Sequence, residues 1–293
     1  MERPILSARG AAGYLEALDN VLLLTHVRPD GDTIGSAAAL CRALQDCGQT
    51  AYLLPNPEIT ATYAPYAAPY WAPEDWQAEH IVSVDIADAS LLPENAQSYR
   101  DRIELAIDHH PSQTFFARNT CLEADSAACG EIVYEIIQHL TALTADIALP
   151  LYVAVSTDCG GFQYGNTTAR THRIAAALMD VVDVAAVNKT LFRTKSRVRL
   201  AMESRMVADM KLFDHQRVVV MEIPLSLRQE MQATDADIEE LSALPALVEG
   251  TDCGVTLREL RPGTVKVSVR TGPRVDACAL CRISVSYTHL RAH

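Results

Sequence analysis

The sequence predicts an α/β fold, a mainly parallel sheet flanked by helices, followed by a second, smaller α/β domain. From the N-terminus to about residue 190, short apolar runs alternate with stretches of helical period, the signature of βα units. Several of these runs end in Asp or His, and ligands of open α/β sheets gather beyond the carboxyl ends of strands.

The first run, Val21-Leu22-Leu23-Leu24, predicts a strand over 21–25 and leads into His26, Asp30 and Asp32. Thr33 to Cys47 is rich in Ala and Leu at helical spacing and predicts a helix, with Cys41 and Cys47 as small core residues. A strand is expected over 50–54. Pro55 to Trp76 holds several prolines and aromatics without a period and predicts an irregular loop. Strands follow over 81–85, ending in Asp85, and over 103–107, running into Asp108-His109-His110. Ala127 to Leu143 predicts a helix, with Ser126 and Glu131 placed to start it. Leu151-Tyr152-Val153-Ala154-Val155 predicts a strand over 151–156, ending just before Asp158. From Val187 through Phe213 the pattern is helical and charged, with Lys189, Arg193, Lys195, Arg197, Arg199 and Arg205 clustered, as in a solvated linker. Strands near 217–223, 252–259 and 264–270 and a helix near 235–243 form the second region. The expected organisation is a catalytic domain at 1–190, a helical linker at 191–213, a second domain at 214–282 and a tail at 283–293.

A formal net charge of −12 argues against a long nucleic acid held by phosphate neutralisation. Small anionic substrates escape that objection, because a bound cation inverts the field of an acidic pocket. No stretch approaches the roughly 20 apolar residues of a membrane span, and no basic segment precedes an apolar core at the N-terminus, so a cytoplasmic location is expected. Of eight cysteines the only close pair is Cys278 and Cys281, with no second pair at a spacing that would complete a zinc site.

Two divalent ions held side by side need a shared ligand, further oxygens and nitrogens, and open positions for water and substrate. Asp30 and Asp32 can point toward neighbouring ions while Gly31 lets the backbone turn between them, and His26 adds a nitrogen. Asp85 arrives from another strand end, as a bridging carboxylate must. Asp158 and His109 can complete the second ion, leaving His110 to face substrate. Carboxylates with one or two imidazoles suit manganese, with magnesium also possible.

In this order THVRPDGDTIGS, VDIAD, AIDHHPS and STDCGGFQYGNTT resemble the successive motifs of the DHH phosphoesterase superfamily. From about residue 20 to 282 the chain resembles most its bifunctional oligoribonucleases that also dephosphorylate 3′-phosphoadenosine 5′-phosphate. The resemblance implies that His26, Asp30 and Asp85 hold one manganese and that Asp32, Asp85, His109 and Asp158 hold the other. It implies that His110 contacts the scissile phosphate or assists the leaving group, and that Asp108 orients an imidazole from behind. The implied reaction is hydrolysis by in-line attack on phosphorus, giving nucleoside 5′-monophosphates from short oligonucleotides or linear dinucleotides, and AMP from the bisphosphate. Thr256-Leu257-Arg258-Glu259 and Val265 to Arg270 resemble the C-terminal DHHA1 domain of the family, with Arg258 and Arg270 as phosphate or base contacts. A homodimer follows by analogy.

In the family a stretch like Val275 to Leu280 leads into a glycine-rich GGGH loop, which this sequence lacks. Its ending, VSYTHLRAH, resembles translated sequencing-adapter sequence, so 283–293 reads as an artefactual tail and the second domain as truncated. An intact metal site with poor oligonucleotide binding is then expected. Cyclic-dinucleotide phosphodiesterase and pyrophosphatase are alternative activities of the same superfamily, and a metal- or nucleotide-binding sensor is the nonenzymatic alternative. The basic second region favours nucleotides over pyrophosphate, and the presence of every ligand position favours an enzyme over a sensor.

Overall fold

A computed structural model of the chain describes residues 4–276 together with Ala279 and Leu280. Cys278, Cys281 and the 283–293 tail lie outside the described residues. The chain forms two compact units, Met1–Arg193 and Thr194–His293.

The first unit is built on strands β1 (Ile5–Leu6), β2 (Val21–Leu24), β3 (Ala51–Leu53), β4 (His80–Val84), β5 (Ile103–Asp108) and β6 (Asn119–Leu122). They form one six-stranded sheet in the order β1-β6-β5-β4-β2-β3, with every pairing parallel. All four residues of β2 are buried, as expected of a parallel strand covered on both faces. The helices are α1 (Ala8–Glu16), α2 (Gly31–Asp46), α3 (Ala64–Ala67), α4 (Cys129–Leu140), α5 (Ala145–Asp158), α6 (Ala169–Met179) and α7 (Val184–Asn188). Gly35 on α2 lets α5 come into backbone contact: a Cβ there would stand 2.2 Å from the Pro150 carbonyl oxygen. The 55–76 stretch is irregular apart from α3 and one 3-10 turn, Ala68–Tyr70.

The run Leu151 to Val155, expected as a strand, is the middle of α5. This helix packs against α2, α4 and α6, so Leu151 through Ser156 are buried all round. A helix without a wet face has no 3.6-residue period, and its apolar run reads like a buried strand. Asp158 therefore stands at the C-terminal end of a helix, not beyond a strand. The helix expected from Ala127 starts at Cys129 with Ala128 as its N-cap, so Ser126 is not the cap. Neither β1 nor β6 was expected, since one is two residues long and the other, Asn119-Thr120-Cys121-Leu122, has polar and apolar residues in pairs.

The second unit contains α8 (Arg197–Ala208), β7 (Lys211–Phe213), β8 (Val218–Ile223), α9 (Leu225–Glu230), α10 (Asp235–Ile238), β9 (Cys253–Arg261) and β10 (Thr264–Thr271). Its four-stranded sheet runs β10-β9-β8-β7, with β8 and β9 parallel and the outer pairs antiparallel. Met202 and Met206 of α8 pack with Val219, Met221 and Ile223 of β8 in its core. Part of the stretch expected as a linker thus belongs to this unit's interior. Three of the basic residues that suggested a linker are answered locally: Lys195 and Arg199 meet Glu203, and Arg205 meets Asp209. Among the described residues no helix is long and apolar enough to cross a membrane.

Candidate metal centre

The carboxyl edge of the first sheet gathers His26, Asp30, Asp32, Asp85, Asp108, His109, His110 and Asp158. After β2 the chain turns through His26 and starts α2 at Asp30, whose backbone is extended and whose Oδ1 accepts from the N–H of Asp32 and Thr33 at 3.2 and 3.3 Å. Asn56 Nδ2 holds this turn by donating to the His26 carbonyl at 2.9 Å. Thr33 Oγ1 donates to the Val84 carbonyl at 2.8 Å and so joins α2 to the end of β4. There Asp85 adopts a left-handed backbone with φ +60°, held by its N–H donating to Ile107 at 2.8 Å. Such a conformation costs about 1–3 kcal/mol for a residue other than glycine and marks a constrained site.

Gly31 has a different task from the one its place between two aspartates suggested. A Cβ there would lie 2.3 Å from Thr157 Oγ1, so glycine lets the first turn of α2 touch the last turn of α5. That contact brings Asp32 and Asp158 to one imidazole: His109 Nε2 lies 3.7 Å from an oxygen of each. Asp32 is buried and accepts from Ser36 Oγ at 3.0 Å, from Cys129 N–H at 2.7 Å and from Gly130 N–H at 2.9 Å. The start of α4 thereby faces a carboxylate, which its dipole favours.

Asp85 lies between the two sides of the cluster. Its Oδ2 is 3.7 Å from His26 Nε2, and its Oδ1 is 3.5 Å from His109 Nε2 and from His110 Nδ1. His26 Nε2 also lies 3.5 Å from Asp30 Oδ1. Donor atoms of His26, Asp30 and Asp85 fall within 4.8 Å of one another, as do those of Asp32, His109 and Asp158, and those of Asp85, His109 and His110.

These residues fit divalent ions. His26 Nδ1 donates to the Val27 carbonyl at 2.8 Å and His109 Nδ1 to the Ser126 carbonyl at 3.0 Å. In the neutral imidazoles the Nε2 lone pairs then face carboxylate oxygens at 3.5–3.7 Å, acceptor against acceptor, which a cation between them resolves. Asp85 Oδ1 is buried without a hydrogen-bond partner among the described residues. Burial pushes the Asp85 carboxyl well above the usual range, and Asp32 and Asp30 push it further. Burial likewise raises Asp158 to about 7, helped by Asp32, and raises Asp32 to about 6 despite His109. For His109 burial disfavours the charged ring, but Asp32 and Asp158 outweigh it and raise its pKa.

His110 differs from the other two histidines. Its Nδ1 donates to Asp108 Oδ1 at 2.8 Å, and its side chain is 40% exposed. Asp108 is fully buried, accepts also from the His109 N–H at 2.9 Å, and is held at Oδ2 by Gln113 Nε2 at 2.7 Å. The Ser126 carbonyl, the Cys129 and Gly130 amides and Gln113 escaped the sequence reading. Three of these act through backbone atoms, which any side chain could carry, and only the helix start after β6 hinted at them.

Arg258 and Arg270 belong to the second unit, and the residues of the cluster belong to the first. Cross-strand register sets Arg258 opposite Lys266 and Arg270 opposite Gly254, so the three basic residues share one sheet face. Arg258 Nη2 donates to Asp235 Oδ1 at 2.6 Å, and Arg228 Nη2 donates to the same oxygen at 3.1 Å.

A parallel α/β sheet whose carboxyl edge carries carboxylates and imidazoles in adjoining triads has the build of a hydrolase that works with divalent metal. The DHH family, N-terminal domain, matches residues 20–155. A bifunctional oligoribonuclease and PAP phosphatase NrnA of Thermus thermophilus is 30% identical over 275 residues, covering 92% of this chain and 82% of that protein. The chain belongs to the DHH family and is a phosphoesterase. A protein of the same name from Bacillus subtilis is 25% identical over 168 residues, covering 55% of this chain and 53% of that one. An exopolyphosphatase-related protein from Bacteroides fragilis shares the fold, with a TM-score of 0.84 at 20% identity, covering 94% of this chain and 85% of that one.

Proposed function

We propose that this phosphoesterase works with two manganese ions, hydrolysing short oligoribonucleotides and linear dinucleotides to nucleoside 5′-monophosphates, and 3′-phosphoadenosine 5′-phosphate to AMP. The observation that carries the reading is the placement of Asp85, with one oxygen toward His26 and the other toward His109. His26, Asp30 and Asp85 hold one ion, and Asp32, Asp85, His109 and Asp158 hold the other. Magnesium fits the same oxygen-rich donors. When bound, the ions lower the pKa of a water and offset charge on the phosphoryl group.

The chain's own groups do the rest. Asp108 fixes His110 so that Nε2, the nitrogen not bound to it, meets the scissile phosphate or the leaving oxygen; when protonated, Nε2–H donates there. Strand ends, the start of α2 and the end of α5 hold the carboxylates before substrate arrives, so little reorganisation is needed. Arg258 and Arg270 contact phosphates or bases, Arg258 exchanging Asp235 for the substrate anion. The relative from Thermus thermophilus, which bears the two activities in its name, supports the substrate class.

The test is manganese-dependent hydrolysis of pApA and of 3′-phosphoadenosine 5′-phosphate by the chain and its Asp85→Asn variant, at substrate concentrations raised far enough to offset weak binding. Release of AMP from both substrates, abolished in the variant, is the expected result. Manganese binding without cleavage of either substrate would overturn the nucleotide assignment and leave cyclic dinucleotides and pyrophosphate to be tried.

A further inference from the structure

His109 is held by a backbone carbonyl, and that carbonyl is itself held from behind. Arg170, in the first turn of α6, reaches the turn before α4: its Nη1 donates to Glu123 Oε2 at 2.8 Å and to Ser126 Oγ at 3.1 Å. Its Nη2 pairs with Glu135 Oε1 at 2.7 Å, and its Nε lies 3.7 Å from Glu131 Oε2. Glu131 is 1% exposed and secures the next residue along, accepting from the Ala127 N–H at 3.4 Å and from Thr171 Oγ1 at 2.5 Å. The turn that carries the Ser126 carbonyl is thus tied at Glu123, at Ser126 and at Ala127.

We propose that Arg170 is a positioning residue for the metal centre. By clamping Glu123 and Ser126 it keeps the Ser126 carbonyl on His109 Nδ1, which fixes the tautomer whose Nε2 lone pair faces Asp32, Asp85 and Asp158. The guanidinium suits this task because its planar, spread charge donates from Nη1 to Glu123 and Ser126 while lying within ion-pair distance of Glu131 and Glu135, a reach that a compact ammonium lacks. The clamp acts on one side of the centre only: His26 takes its tautomer from Val27 and Asn56 holds its loop, neither of which Arg170 touches. The inference rests on the reading of His109 as a metal ligand.

The experiment compares wild type, Arg170→Ala, Arg170→Lys and His109→Ala by Mn2+ titration with electron paramagnetic resonance, and by the ¹⁵N ring signals of His109 in the Mg2+-loaded protein. Loss of a hydrogen-bond partner behind a ligating histidine lowers metal affinity by about 10–100-fold. Arg170→Ala loosens that partner without removing it, so it should show a loss of about 10-fold, the low end of that range, at one of two binding steps, leave the other step unchanged, and move the His109 ring signals from the Nδ1–H pattern toward a mixture of tautomers. Arg170→Lys should recover part of both effects. Unchanged ring signals with an unchanged titration, or an equal loss at both steps, overturn the proposal. If Arg170→Ala does not fold, Glu123→Gln carries the same comparison, with a selective loss supporting the clamp and an unchanged titration overturning it. His109→Ala separates the two readings. If it leaves both steps intact, His109 is no ligand; if it removes one step while Arg170→Ala removes none, only the clamp falls.

Discussion

Gly31 and Thr157 meet so closely that no side chain fits between them: a Cβ on Gly31 would stand 2.3 Å from Thr157 Oγ1 and 2.8 Å from its Cβ. Thr157 cannot swing away cheaply, because its hydroxyl donates to the Val153 carbonyl at 2.7 Å in the helix behind it. Gly31→Ala must therefore push α2 away from α5, and with it Asp32 away from Asp158. Overpacking of this kind costs about 1–3 kcal/mol. The expected outcome is a lower melting temperature together with weaker manganese binding, and partial recovery of both when Thr157→Ala is added. Equal melting temperatures and equal manganese affinity in Gly31→Ala and wild type would show that the contact does not set the site.

Asp85→Asn should separate stability from activity. The left-handed backbone at Asp85 suits Asn, so the substitution keeps the local fold. It replaces a carboxyl whose ionised form is disfavoured by burial at 3% exposure among other carboxylates, so the metal-free variant should melt higher than metal-free wild type. Activity should fall by about 10³-fold or more, the several kcal/mol expected when metal-borne charge stabilisation is lost. A calorimetric scan in chelator, set beside a rate assay in manganese, reads both. A metal-free variant less stable than wild type would mean that the carboxylate is not repelled in the folded protein.

Stability without metal should decline as pH rises. Asp158 and Asp32 have folded-state pKa values raised to about 7 and about 6, from an ordinary value of 3.8, chiefly by burial. A folded state that holds protons more tightly than the unfolded chain has its full advantage below the ordinary carboxylate pKa and loses it as pH climbs through 6 and 7. Divalent metal reverses the trend, because it binds the deprotonated ligands and displaces their protons. Melting temperature in chelator should fall between about pH 5 and pH 8, and the gain from added manganese should grow over the same range. Asp158→Asn should flatten the chelator curve. A chelator curve that rises with pH would sink the argument.

The same physics explains what the sequence made legible. Apolar runs ending in His26, in Asp85 and in the Asp108-His109-His110 stretch read correctly as buried strands, because a parallel strand covered on both faces has one visible feature, its unbroken hydrophobicity, and one useful end. Leu151 to Val155 shares that hydrophobicity for a different reason, burial within a helical layer, and only its fold neighbours tell the two apart. Asp158 is a candidate ligand from the apolar run before it as well as from its motif, and it reaches the cluster although that run is a helix, because the last turn of α5 abuts the first turn of α2. The contacts that orient the ligands stayed hidden: the Ser126 carbonyl and the Cys129 and Gly130 amides are main-chain groups. Arg258 was legible as a basic strand residue, but its partner Asp235 lies 23 residues away and belongs to another element.

Gln113 offers the sharpest test of how His110 is aimed. Its Nε2 donates both to the Ile86 carbonyl at 2.9 Å and to Asp108 Oδ2 at 2.7 Å, so it fixes the outer oxygen of the carboxylate whose other oxygen holds His110. Gln113→Ala leaves that buried oxygen without a donor, which costs about 1–3 kcal/mol of stability. Asp108 contributes no donor atom to the three candidate metal groups, so manganese affinity should stay close to wild type. If His110 acts on the reacting phosphate, kcat should drop while KM and the metal titration hardly move, because the imidazole is less well oriented when the bond breaks than substrate is when it binds. Gln113→Glu separates orientation from charge: it retains the length of the side chain but sets a carboxylate against Asp108, and it should lower kcat at least as far as Gln113→Ala does. A fall in manganese affinity that matches the fall in kcat would instead assign Gln113 to the metal centre itself, and would remove the case for His110 as the residue that meets the phosphate.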